Sequence, residues 1–126
     1  MPADSGFSYD TRLNIQYAPL EVIDVAALVD SVAKIPWFNQ TLCKVNESVV
    51  RLGVVEGDYH WHKHDDEDEF FYVVSGRWII ELEGRTVDLA PGQGFVVPKG
   101  VMHFPRAPER TVILMVEGAG IIPTGD

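Results

Sequence analysis

The sequence predicts an all-β domain closed into a small jelly-roll-type barrel, with an N-terminal arm and one short helix ahead of it. Three observations predict this. From Ser48 onward, β-branched and aromatic residues gather in eight short runs. Turn residues punctuate those runs: Ser75-Gly76, Glu83-Gly84, Pro91-Gly92 with Gly94, and Pro98-Lys99-Gly100. A single helical stretch stands against the eight strands. Short strands at roughly eight- to twelve-residue spacing are the pattern of a sandwich or barrel. Closure limits the exposed edges that so many strands would leave.

The elements follow in chain order. Residues 1–20 are polar, with Pro2 and Pro19, and read as an irregular arm. Asp24 then precedes Val25, Leu28, Val29 and Val32, which form one apolar helical face. The Asp24 carboxylate can accept orphan amides of a first turn, so a helix is expected over about 24–34, stopped by Pro36. The expected strands are Val49–Val55, Tyr59–His64, Phe70–Val74, Arg77–Leu82, Arg85–Leu89, Phe95–Val97, His103–Arg106 and Thr111–Glu117. One domain results: arm and helix over 1–47, barrel over 48–118, tail over 119–126. Trp78 to Leu82 is apolar on both alternating faces, which suggests sheet stacking or a homodimer contact.

Composition narrows the function classes. Nineteen acidic residues against ten basic give a net charge of −9, which repels nucleic-acid backbones and anionic membrane surfaces. No apolar run approaches the ~18 residues of a membrane span. No basic n-region with an apolar h-region opens the chain. The single cysteine, Cys43, cannot form an internal disulfide, so no oxidising compartment is needed. A cytoplasmic protein without nucleic-acid or membrane partners is expected.

The chemistry concentrates in the histidines. His60, His62 and His64 alternate along one expected strand, so all three point the same way. Two imidazoles spaced by two strand residues can converge on one ion, and a carboxylate from the following strand can close the site. The run Asp65-Asp66-Glu67-Asp68-Glu69 supplies candidates, with Glu69 opening that strand. His103 follows the turn at Pro98-Lys99-Gly100 and can return to the same cavity. The plainer reading is a polar, hydrogen-bonded strand face.

Two segments settle the register by resemblance. HWHKHDDEDEFFYVVSG resembles the first motif of the cupin family, with His62, His64, Glu69 and Gly76 at the motif positions. GQGFVVPKGVMH resembles the second, with Gly92, Pro98, Gly100 and His103. Residues 77–91 lie between them, a short intermotif region like that of small bacterial cupins. The tail from Gly118 also resembles cupins loosely labelled as similar to mannose-6-phosphate isomerase. Pairing His60 with His62 instead would make Glu67 the acid and put Val74 where the glycine belongs. Two departures stand out: Glu56 precedes Gly57 where the motif's first glycine falls, and Ala107 replaces an asparagine that often ends the second motif.

The resemblance implies a double-stranded β-helix over about 48–118 and one divalent transition metal ion (Fe, Ni, Zn or Mn) on His62, His64, Glu69 and His103. Three nitrogens and one carboxylate leave coordination positions for water or substrate. His60 would stand nearby as a cavity donor or general base. The expected ligand is a small polar molecule, and Arg51, Arg77 and Arg106 would favour an anionic one if they point inward. Three functions are compatible: a metalloenzyme isomerising, epimerising or cleaving a sugar or oxo-acid, an iron-dependent dioxygenase, and a non-enzymatic metal or small-ligand binding module.

Overall fold

The computed structural model describes residues 9–125; the first eight residues of the expected arm and Asp126 of the tail lie outside them. Eight strands run in the order β1 (Asp10–Arg12), β2 (Trp37–Val45), β3 (Ser48–Asp58), β4 (Glu69–Ser75), β5 (Trp78–Leu82), β6 (Arg85–Leu89), β7 (Gly94–Val97) and β8 (His103–Gly118), with α1 (Val25–Ser31) between β1 and β2. The sheet order is β1-β2-β3-β8-β4-β7, and β5 joins β6 to β8. All pairings are antiparallel except β1 with β2.

The sixteen-residue β8 closes the barrel. Its N-terminal end pairs with β5 through His103–Arg106, and its C-terminal half pairs with β4 through Val112–Glu117. Its other edge pairs with β3 along nearly its whole length. The two expected strands at 103–106 and 111–117 are therefore one. Pro105 and Pro108 interrupt the pattern in sequence, but Pro105 needs no donor there, and its carbonyl accepts the amide of Tyr59 at 3.0 Å.

Alternation along the strands divides two cores. Trp37, Val55, Phe71, Val73, Trp78, Ile80, Ile113 and Met115 point into the barrel. Phe38, Leu42, Leu52, Val54 and Val112 point out of the same sheet and are covered by Val25, Leu28 and Val29 of α1 together with Val32. Asp24 caps α1 as expected, accepting from the Ala27 amide at 3.0 Å. The helix is shorter than expected, ending at Ser31 because Val32 leaves helical dihedrals.

Three expectations change. β2 belongs to the sheet, pairing with β3 from Trp37 to Val45, whereas the sequence placed 37–45 in the arm. Residues 59–64 form no continuous strand; only His62 makes a bridge, to His103. The outer face of β5 is not apolar: Ile79 is flanked by the Arg77–Asp88 pair and by Arg106 with Glu81, while Trp78 and Ile80 face the core.

Candidate metal centre

The site begins with backbone pairing. The His62 amide donates to the His103 carbonyl at 2.9 Å, and the His103 amide returns the bond at 2.9 Å. Reciprocal pairing places the two residues directly opposite with side chains on one face, and their ring centroids are 4.2 Å apart. His64 follows two residues on, and its carbonyl accepts the Gly100 amide at 2.8 Å. That bond ties the second motif's turn to the first motif. Glu69 opens β4 and faces Val97 on one side and Glu117 on the other. The Asp68 carboxylate accepts the Lys99 amide at 2.9 Å, fixing the end of the acidic loop one residue earlier.

His62, His64, Glu69 and His103 are all buried, and one ligand atom from each lies within 4.8 Å of the others. Atoms around an ion at bonds of about 2.0–2.2 Å stand at most ~4.4 Å apart, so the four side chains must draw closer together to close on one. Glu69 Oε1 is 3.3 Å from His64 Nε2 and 3.5 Å from His103 Nε2. His62 Nδ1 lies 3.0 Å from the His60 carbonyl, and His103 Nδ1 lies 3.0 Å from the Val101 carbonyl. A carbonyl only accepts, so each Nδ1 carries the proton and each Nε2 turns a lone pair toward the cluster, the tautomer a metal ligand needs.

Electrostatics agree with that donor set. Burial, reinforced by the neighbouring His103, pushes the His62 imidazolium down to about 3, so the ring is neutral at ordinary pH. Burial would raise the Glu69 carboxyl, but the close approach of the His103 and His64 rings and of the Glu117 carboxyl outweighs it and holds it well below the usual carboxylate range. Glu117 moves the other way: burial and the Glu69 charge raise it, and Arg51 only partly offsets them. The two facing carboxyls thus share mainly one negative charge.

The sequence-predicted residues sort clearly. The four motif positions come together. His60 stands beside them, its ring 5.2 Å from that of His62 and stacked on Tyr59 at 4.0 Å, with Nε2 on the Thr124 carbonyl at 2.9 Å. Asp65–Asp68 are exposed. Trp61 faces outward against Phe104. Cys43 is half-buried on β2 beside the outer core. Of the three arginines, only Arg51 enters the barrel, where it binds Glu117 and the Thr41 hydroxyl. Arg77 binds Asp88 and Arg106 binds Glu81 on the outside.

Sequence reasoning missed Glu117, Trp37 and Asn39, which line the cavity beside Glu69, Phe71 and Trp78. The signal for Glu117 was alternation: it shares the inward face of Thr111, Ile113 and Met115. Burial also lifts the Tyr59 hydroxyl above its ordinary value, with nearby acids adding to the effect, so it remains a donor.

The comparisons agree with this geometry. The family described as "Cupin domain" matches residues 48–117. The chain is 40% identical over 80 residues to "Uncharacterized protein YdbB" of Bacillus subtilis (strain 168), covering 63% of this chain and 71% of that one. The crystal structure of a cupin-2 domain containing protein from Shewanella frigidimarina NCIMB 400 superposes with a TM-score of 0.71 at 33% identity, over 77% of this chain and 94% of that one. KdgF from Halomonas sp. superposes with a TM-score of 0.59 at 26% identity, over 64% and 78%. With both motifs folded around one buried histidine–carboxylate group, and the family match spanning most of the barrel, the chain belongs to the cupin family.

Proposed function

We propose that this cupin is a metal-dependent enzyme for a small, unphosphorylated polar metabolite such as a sugar or oxo-acid, acting by isomerisation, epimerisation or lyase chemistry. His62, His64 and His103 supply three nitrogens and Glu69 one oxygen to one divalent Fe, Ni, Zn or Mn ion. The carrying observation is the buried convergence of those four side chains with the His62 and His103 rings oriented by backbone carbonyls. Bound there, such an ion would polarise a substrate carbonyl oxygen. The chain's own residues exclude water through Trp37, Phe71 and Trp78 and hold Glu69 in the sheet between Val97 and Glu117. A phosphate group is disfavoured, because the one interior arginine, Arg51, is already bound to Glu117.

Elemental analysis of protein purified without added metal tests the reading. About one equivalent of a transition ion, lost on replacing His62 and His64 together with alanine, is expected. Oxygen uptake with iron bound would select dioxygenase chemistry instead. No ion retained at any loading would leave a non-enzymatic module.

We also infer a homodimer in the cytoplasm. Exposed apolar side chains on the outer face of β4, β7 and β8 support the dimer, and the lone half-buried Cys43 suits a reducing compartment. Among the described residues, no helix is long and apolar enough to cross a membrane.

A further inference from the structure

We propose that residues 119–125 are a gate over the metal centre, and that the Tyr59 hydroxyl and His60 Nε2, which hold it shut, bind an oxo- or hydroxy-acid when it opens. The ligand class rests on the proposed reading of the cavity; the gate does not. The segment leaves β8 at Gly118 and crosses the barrel mouth. Ile121 is buried, and Pro123 lines the cavity. Gly125 lies so close to His62 that a Cβ there would sit 2.6 Å from the His62 Cβ, at a backbone φ of +99°.

The gate is weakly tied. It has no strand ladder, and three of its carbonyls accept from side chains of the barrel. Thr124 O accepts from His60 Nε2 at 2.9 Å, Pro123 O from the Tyr59 hydroxyl at 3.3 Å, and Ile121 O from Arg51 Nη1 at 3.4 Å. The latter two are long for hydrogen bonds. Since Thr124 O only accepts, His60 Nε2 carries the proton and is a donor.

The cavity must widen for a metabolite to enter, and Pro123 of the gate is part of its lining. With residues 119–125 in place the free space is about 30 Å³, against roughly 300–1,000 Å³ for pockets that take metabolite-sized ligands. Lifting the segment leaves the Tyr59 and His60 donors without acceptors, beside a metal centre that takes oxygen ligands. The buried Trp78 Nε1 in the same cavity already lacks an acceptor among the described residues, and Asn39 Oδ1 lacks a donor. Three donors and one acceptor beside the metal centre suit a carboxylate or carbonyl compound that also carries a hydroxyl. The closed gate's carbonyls take the places of that ligand's oxygens.

Three measurements on the full chain test this. Amide hydrogen exchange at Ile121 and Gly125 should be much faster than in the central part of β8; equal protection overturns the gate. In a Trp61→Phe background, which leaves the buried Trp37 and Trp78, Gly125→Ala should raise acrylamide quenching severalfold with the circular dichroism unchanged. Quenching unchanged while the melting temperature falls would mean a fixed structural plug. After metal content has been measured on each protein, calorimetry with lactate should show severalfold tighter binding to Gly125→Ala, because the closed state no longer reduces the apparent affinity, and weaker binding to Tyr59→Phe. Lactate binding to neither metal-loaded protein overturns the ligand assignment while exchange and quenching still decide the gate. Absence of metal from the unsubstituted protein overturns the metal reading alone.

Discussion

At the residue scale, two glycines with the same backbone need separate in what surrounds them. Gly76 has φ +86°, and a Cβ there would lie 2.4 Å from Thr111 Oγ1 and 2.6 Å from the Arg110 carbonyl. Gly92 has φ +85° with open space around it. Gly92→Ala should cost about 1 kcal/mol of backbone strain. Gly76→Ala should cost more, on the order of 3 kcal/mol, since backbone must also shift. Urea denaturation of both variants checks the order; equal losses would contradict it. The same scale contains a pH effect. Glu117 has a folded-state pKa raised above its ordinary 4.5 by burial and by Glu69. A group raised on folding stabilises fully below its unfolded pKa, and that contribution is lost as pH rises toward the folded value. Metal-free protein should therefore lose melting temperature between pH 5 and 9 relative to Glu117→Gln. Bound cation should shrink the difference by favouring both ionised carboxylates. Parallel pH profiles for the two proteins would reject the assignment. Residues like Glu117 were hidden in sequence because Arg51, its partner, lies 66 positions away. The motif ligands were legible because three of them fall within eight residues, bounded by Gly76, whose conformation explains the spacing.

At the scale of elements, strands with strict alternation were legible and the others were not. β4 alternates Glu69, Phe71 and Val73 inward with Phe70, Tyr72 and Val74 outward, as its sequence implies. β2 hides because both its faces are covered and polar residues serve on each. Asn39 and Thr41 look into the barrel, while Gln40 is buried on the other face and donates to the Asn14 carbonyl at 2.7 Å. Apolar periodicity cannot detect such a strand. The histidine segment erred the other way: its alternation is real, yet it makes one bridge instead of a ladder. Helix α1 was found by its cap and its face. Its seven residues are too few to be stable alone, so it depends on packing over Phe38, Leu52 and Val54. Asp24→Ala should cost about 1 kcal/mol in chemical denaturation and leave metal content unchanged. Loss of metal in that variant would mean that α1 supports the site through the sheet.

At the scale of the whole molecule, the outer face of the main sheet is covered only in part. Over β2 and β3, α1 and Val32 cover it. Over β4, β7 and the end of β8 it stays open among the described residues: Val96, Phe70 and Val116 stand in one register row, with Val96 47% and Val116 39% exposed, and Tyr72 and Val74 beside them are exposed too. A cluster of this kind on a sheet marks an interaction surface. Charge argues for the same place, because the alternative face, on β5, carries the Arg77–Asp88 and Arg106–Glu81 pairs around Ile79. A second copy of the chain brings the same apolar patch to a twofold axis and avoids setting two strongly acidic surfaces against each other over a wide area. Sedimentation equilibrium should give a dimer. Val96→Lys with Tyr72→Lys should convert it to a monomer, because like charges would then meet across the axis. Neither residue points into the barrel, so metal content should be unaffected. Ile79→Lys should leave the dimer intact. A dimer broken by Ile79→Lys and untouched by the Val96 and Tyr72 pair would return the interface to β5, where the apolar run Trp78 to Leu82 first suggested it.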